Sequence, residues 1–242
     1  MPDAIFEDPR LARIYDPLDP DRSDLDAYLA IAVEFGARSL LDVGCGTGTF
    51  ACLLASRGLA VTGVDPAAAS LDVARAKPGA DAVRWLRGDA TSLPPMQVDL
   101  ATMTGNVAQV FRTDEDWNAT LGGVRAALRP GGRLVFETRD PARQAWLGWT
   151  RQQSFTRTDI PVVGKVQSWH ELTDVTGPLV TFRSIVVFEN DGTVLTSDST
   201  LRFRERDEIA ESLTVLGYRL DEVRDAPDRP GLEFVFIARR EP

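Results

Sequence analysis

The chain has 242 residues, 43% of them hydrophobic, with a formal net charge of -9 and a pI near 4.7. That is enough apolar material for one elaborated domain, or for a domain with a small appendage. The acidic balance repels phosphate backbones and anionic lipid, so neither nucleic acid nor a membrane surface is expected as a partner.

Cys45, Cys52 and the single histidine, His170, give neither a disulfide framework nor a metal-ligand spacing, so no metal is expected. The opening MPDAIFEDPR lacks a basic stretch followed by an apolar one, and no window reaches about 18 apolar residues. The expectation is a cytoplasmic protein without a leader or a membrane span. One basic run, Arg139, Arg143, Arg151, Arg157 and Lys165, reads either as solvated arginines or as a contact for phosphate or an acidic substrate.

In chain order, Ser23 followed by Asp26 has capping-box spacing. It opens a helix in which Leu25, Leu29, Ala32 and Val33 recur at helical intervals up to Gly36. Strands and helices then alternate. Ser39–Val43 reads as a strand, Thr49–Arg57 as a helix closed by Gly58, Ala60–Val64 as a strand, and Pro66–Lys77 as a helix stopped by Pro78-Gly79. Ala82–Arg87 and Val98–Met103 are further strands. Thr113 with Asp116 caps a helix whose buried stripe is Trp117, Leu121, Val124 and Leu128; RPGG (Arg129–Gly132) stops it before a fifth strand, Arg133–Thr138. Repeated strand–helix units call for a parallel sheet with helices on both faces.

The rhythm breaks over 151–204, where extended stretches near 152–158, 163–172, 179–188 and 193–204 are separated by Ile160-Pro161, Thr176-Gly177-Pro178 and Asn190-Asp191-Gly192. These predict an antiparallel β-insert with a hairpin at ENDGTV. A helix over Asp207–Leu216, ended by Gly217, leads to strands Tyr218–Val223 and Glu233–Ala238. The link between those strands is too short for a parallel crossover, so they are expected to be antiparallel.

The stretch SLLDVGCGTGTF sets Gly44, Gly46 and Gly48 between a strand and a helix. Glycine there admits a ligand that a β-carbon would block, and the helix start adds unbonded N–H groups and a positive dipole end. A tight turn without a ligand uses the same residues. Asp65 ends the second strand about twenty residues later, where an acid commonly accepts ribose hydroxyls. Asp65-Pro66 is also an N-cap and first-turn pair for the next helix. Asp89 ends the third strand in RGDATSLP. Thr49 stands where a dinucleotide fingerprint wants Gly or Ala, which disfavours a nicotinamide or flavin cofactor.

LLDVGCGTG, VTGVDPAAASLDVARAK, LRGDATSLP, VDLATMTGNVAQVF and ALRPGGRLVFET, in this order over roughly 38–138, resemble the class I S-adenosylmethionine-dependent methyltransferases of small-molecule type. The resemblance implies an α/β fold: a doubly wound, mostly parallel seven-stranded, Rossmann-like sheet, with the antiparallel β-insert after its fifth strand. It implies S-adenosylmethionine as cofactor. Gly44, Cys45, Gly46 and Gly48 would pass along its methionine and ribose, and Asp42 would hold the loop or reach the amino group. Asp65, with Pro66 behind it, would bind the ribose. Asp89 and the Ala90 backbone would face the adenine, Met103 and Thr104 would border the sulfonium, and Tyr15 would lie over the cofactor or pack.

The expected organisation is an N-terminal cap over 1–37, a cofactor core over 38–150, an insert over 151–204 serving as substrate lid, and a completing helix and strand pair over 205–242. The expected activity is in-line methyl transfer to a small-molecule acceptor, by a monomer or a homodimer. The competing class is a protein that binds the cofactor as a sensor without transferring the methyl. No base is evident. Asn106 can orient an acceptor or form a turn, His170 can titrate near neutrality or pack on its strand, and Arg139 and Asp140 touch substrate or simply end the fifth strand. MTGNVAQV is not the Asn/Asp-Pro-Pro-aromatic motif of the amino methyltransferases of nucleic acid. Trp146, Trp149, Phe155 and Trp169 provide for an aromatic wall, or for packing within the insert.

Overall fold

The computed structural model describes residues 2–242. Five strands, β1 (Ser39–Val43), β2 (Ala60–Asp65), β3 (Val83–Arg87), β4 (Val98–Met103) and β5 (Leu128–Arg139), come first. Four more, β6 (Thr156–Ile160), β7 (Gly164–Thr176), β8 (Leu179–Phe188) and β9 (Thr193–Arg202), form a separate antiparallel meander. β10 (Tyr218–Asp225) and β11 (Glu233–Arg240) return to the first sheet, which runs β10-β11-β5-β4-β1-β2-β3. β1 pairs in parallel with both β2 and β4, so strand order reverses there and a crevice opens at their carboxyl ends. β11 alone runs against its neighbours.

Helices cover both faces: α3 (Asp24–Glu34), α4 (Thr49–Ser56), α5 (Ala68–Arg75), α6 (Asp114–Ala127) and α8 (Arg206–Val215). Alternation along each strand divides the core. Leu41, Phe136 and Phe236 meet Trp117 and Leu121 of α6 and Leu213 of α8, while Leu40, Val135 and Ile237 meet Leu29 of α3 and Leu54 of α4. The expected Thr113 cap forms, its hydroxyl accepting the Asp116 N–H at 3.1 Å.

Three local expectations are corrected. Residues before Ser23 are helical: α1 (Ala4–Glu7) and α2 (Pro9–Leu18) precede α3. Asp8 caps α2 by accepting the Arg10 and Leu11 N–H groups, and Pro9 occupies its first turn, a signal present in the sequence as EDPR. Ser23 caps nothing; its backbone is already helical, and its own N–H is taken by Asp21 at 3.0 Å. RPGG lies inside β5, not before it, because Leu128 already pairs with Val98 and a register shift absorbs the turn-prone residues.

The first strand of the meander begins at Thr156, since Thr150 caps a short helix, α7 (Arg151–Ser154). Ile160, Val166, Val186 and Phe188 of the meander pack on Leu11 and Ile14 of α2. Ile5 N–H donates to Ser197 Oγ at 2.9 Å, and Arg10 pairs with Asp191 at 2.6 Å. The N-terminal helices and the meander are therefore one packed unit above the carboxyl edge of the core sheet.

Candidate functional site at the carboxyl edge of the sheet

The three glycines all have positive φ, which explains their type, but they face different things. A β-carbon at Gly44 would meet the Val107 methyls at 2.6 and 2.9 Å, and one at Gly48 would meet the Trp85 ring and the Ala74 methyl at 2.8 Å. One at Gly46 would meet nothing within 4 Å. Gly44 and Gly48 are thus packing glycines, and Gly46 alone opens the loop to a ligand.

Asp65 bridges this loop to the next helix: Oδ2 accepts the Gly46 N–H and Oδ1 the Ala67 N–H, both at 2.8 Å. Each oxygen keeps a lone pair for a further donor. Burial raises the Asp65 pKa, opposed by the two N–H groups. Pro66, directly after Asp65, is exposed. Asp42 is fully buried, accepts the Thr102 hydroxyl at 2.9 Å, and is pushed up to about 7 by burial. Cys45 is buried beside Gly63, its thiol raised well above the usual range by burial.

Asp89 is exposed and caps a single 3-10 turn, Ala90–Ser92, through Oδ1, which accepts the Thr91 N–H at 2.9 Å and its hydroxyl at 2.6 Å. The Ala90 carbonyl packs against Gly123 of α6, so that side of its backbone is closed. The Met103 side chain belongs to the core cluster and is fully buried; only its main chain and the half-buried Thr104 lie at the edge.

The N-terminal unit is fastened to this loop, a connection the sequence does not reveal. Asp16 of α2 accepts the Thr47 hydroxyl at 2.6 Å and pairs with Lys77 at 2.6 Å, and Lys77 donates to Thr49 Oγ1 at 2.6 Å. Glu7 accepts the Ala68 N–H at 2.7 Å, capping α5 from outside. Tyr15 keeps 38% exposure, yet burial raises its phenol pKa, opposed by Arg22. Its ring lies 5.5 Å from that of Phe6.

Past β4, Asn106 takes the left-handed region at φ 61, tolerable for Asn where most side chains are strained. Glu137 of β5 holds that bend, Oε1 accepting Gly105 N–H at 2.6 Å and Asn106 N–H at 3.0 Å. Burial, and then Glu233, push Glu137 up to about 7. Asn106 Oδ1, Gln109 Nε2, Glu137 Oε2 and Thr138 Oγ1 are buried without partners.

Arg139 is drawn into this cluster rather than merely ending β5. Its Nη1 donates to Gln109 Oε1 at 2.9 Å and its guanidinium lies 5.6 Å from the centre of the Trp149 ring. Asp140 instead caps the turn after it, accepting the Ala142 N–H. Of the run that includes Arg139, Arg143 pairs with Asp140 and Arg157 with Glu189.

From the insert, Trp149 contacts Phe182 at 4.5 Å and Trp146 contacts Phe203 at 4.6 Å, whereas Phe155 and Trp169 are joined 6.3 Å apart with Arg151 above them. His170 lies edge-on to Phe182 with Nδ1 3.0 Å from Ser184 Oγ, and burial, then Arg139, lower its pKa. Glu137, Gln109, Glu233, Asp16 and Lys77 escaped the sequence reading. A glutamate inside the apolar run RLVFET was the one visible signal; the rest depend on cross-strand or interdomain contact.

A doubly wound sheet with an open glycine loop, an acid bridging that loop, and a covered carboxyl edge defines a nucleoside-cofactor domain. Residues 40–132 match the methyltransferase domain family, and over this stretch the core resembles the class I S-adenosylmethionine-dependent methyltransferases. The chain is 35% identical over 119 residues to the cypemycin N-terminal methyltransferase of a Streptomyces species, covering 49% of each. Its fold is similar to an S-adenosylmethionine-dependent methyltransferase from Clostridium acetobutylicum (TM-score 0.78, 18% identity, 96% and 98% of the chains covered). It is similar also to an S-adenosylmethionine-bound amino pentose methyltransferase of calicheamicin biosynthesis from Micromonospora echinaspora (TM-score 0.71, 23% identity, 94% and 96% covered). The chain spans 49% to 62% of the length of the curated relatives it matches first. No helix among the described residues is long and apolar enough to cross a membrane.

Proposed function

We propose that the protein transfers the methyl group of S-adenosylmethionine to a small-molecule acceptor held between the carboxyl edge of the sheet and the α2–meander unit, acting in the cytoplasm without a nucleic-acid partner. The observation that carries this is the pairing of Gly46, open to the cleft, with Asp65, which fixes the loop and retains lone pairs for a ribose. When bound, the cofactor supplies an electrophilic methyl on a sulfonium.

The chain's own residues bind, orient and exclude water. Gly44, Gly46 and Gly48 shape the loop, and Asp65 accepts ribose hydroxyls. Asp89 and the Ala90 N–H side face the base. Asp42, with Cys45 filling the floor beside it, holds the loop from below. The Met103 main chain and Thr104 border the reacting methyl, and Tyr15 closes the recess above. Asn106 would orient the acceptor, and His170 would take its proton. Positioning of this kind supplies roughly 7–11 kcal/mol of a transfer barrier. Residues 151–204 act as the substrate lid with the N-terminal segment.

Calorimetric titration with S-adenosylmethionine, S-adenosylhomocysteine and NAD tests the reading: binding of the first two and not the third is expected, and NAD binding alone would overturn it. A sensor would bind the cofactor equally well but release no S-adenosylhomocysteine when offered mixtures of small amines, alcohols and acids.

A further inference from the structure

Arg139 is a half-buried cation of the polar cluster that is incompletely engaged. It ends β5 at the carboxyl edge, directly opposite Glu233 of β11. Glu233 does not satisfy it. Glu233 Oε1 accepts Arg229 Nη1 at 2.6 Å, its Oε2 lies 3.4 Å from Asn106 Nδ2, and Arg139 Nε stands off at 3.6 Å. Only Nη1 is hydrogen-bonded, to Gln109 Oε1; among the described residues no hydrogen bond reaches Nη2, although the side chain is only 21% exposed. Gln109 turns a second unpartnered donor, Nε2, into the same cluster. Trp149 backs the guanidinium, and Trp149, Phe182 and His170 form a contiguous wall beside it.

A half-buried guanidinium with an unbonded edge keeps donors free for an incoming acceptor. Its planar donors match a carboxylate better than any neutral group. We propose that Arg139 anchors an acceptor bearing a carboxylate, whose apolar or aromatic body lies along Trp149 and Phe182. This deepens the methyltransferase reading and rests on it, because it is the same cleft that receives the acceptor. The groups facing the anchor from other elements are Tyr15 of α2, His170 of β7, Glu233 of β11 and Arg229; Glu137 is next but one on its own strand. Glu233 is shared between Arg229, which it meets at 2.6 Å, and Arg139 at 3.6 Å, so the two guanidiniums face one close carboxylate.

The full chain, saturated with S-adenosylhomocysteine, is titrated with benzoate, benzamide and benzylammonium, following tryptophan fluorescence and heat, and the series is repeated without the nucleoside. Benzoate is expected to bind at least about tenfold more tightly than either analogue. Arg139→Gln should abolish that preference while leaving S-adenosylhomocysteine affinity and the melting transition near wild type. Arg139→Lys, which keeps charge but loses the fork, should retain the preference at reduced strength and serves where Arg139→Gln fails to fold. The preference ratio would not move if the residue were merely structural. Equal binding of the three probes, a preference for benzylammonium, no benzoate binding, or a preference that survives Arg139→Gln overturns the anchor. Failure of S-adenosylhomocysteine to bind overturns the methyltransferase reading instead, whatever benzoate does.

Discussion

Asp65 Oδ2 accepts the backbone N–H of Gly46 at 2.8 Å, so the acid that ends β2 sets the shape of the glycine loop that ends β1. The same carboxylate caps α5 through the Ala67 N–H. One side chain therefore couples the loop to the helix.

Removing it should weaken both binding and fold. Asp65→Ala is expected to lower S-adenosylhomocysteine affinity by roughly 1.5–3 kcal/mol through lost charge-assisted hydrogen bonds. It should also cost roughly 0.5–2 kcal/mol of stability through the lost cap. Asp65→Asn, which keeps one acceptor oxygen, should recover part of the second effect more than the first. Calorimetry and denaturant melts measure the two; unchanged affinity with lowered stability would reduce Asp65 to a helix cap.

Gly46 and Gly48 should separate binding from folding. Both have positive φ, 52° and 77°, so alanine carries a backbone cost of roughly 1–2 kcal/mol at either. At Gly48 the new methyl also collides with Trp85 and Ala74, adding overpacking of roughly 1–3 kcal/mol. At Gly46 it projects into open space. Gly46→Ala should therefore lose cofactor affinity with modest destabilisation, and Gly48→Ala should lose mainly stability. Equal affinity loss at matched stability would refute the distinction.

Glu137 should make stability fall as pH rises. Its folded pKa of about 7 lies above the ordinary 4.5 because burial, and then Glu233, disfavour the anion. Between these values the folded state holds more proton than the unfolded one, so stability present at acidic pH is lost as pH climbs to about 7. The Glu137→Gln variant keeps an acceptor for Gly105 and Asn106 and removes this dependence, at most about 3 kcal/mol across the window. Asp42, also pushed up to about 7, contributes a slope of the same sign that persists in the variant. Urea melts from pH 4.5 to 8 compare the two proteins; parallel curves would show that Glu137 does not titrate there.

Asp16→Asn should loosen the N-terminal unit from the glycine loop. It removes the charge opposing Lys77 but preserves an acceptor for Thr47, in a half-buried network, so a loss of roughly 1–2 kcal/mol is expected. Proteolysis near α2 and cofactor dissociation should both quicken. Accelerated proteolysis with an unaltered cofactor off-rate would mean that α2 does not retain the ligand.

Local chemistry fixed much of this molecule before any packing was known. Positive-φ positions demanded Gly44, Gly46 and Gly48, strand-to-helix alternation demanded the parallel sheet, and the nine-residue link demanded an antiparallel β10–β11 pair. These follow from interactions within a few residues or from one repeated period. What the sequence left undecided were contacts between partners far apart in the chain: Asp16 on Thr47 and Lys77, Glu137 under Asn106, Arg139 opposite Glu233, and which one of three similar glycines has open space beyond it. A carboxylate or guanidinium in the chain has no address until the strands pair and the insert folds back. Register and desolvation then decide whether it caps a turn, neutralises a neighbour, or waits at the edge of a cleft.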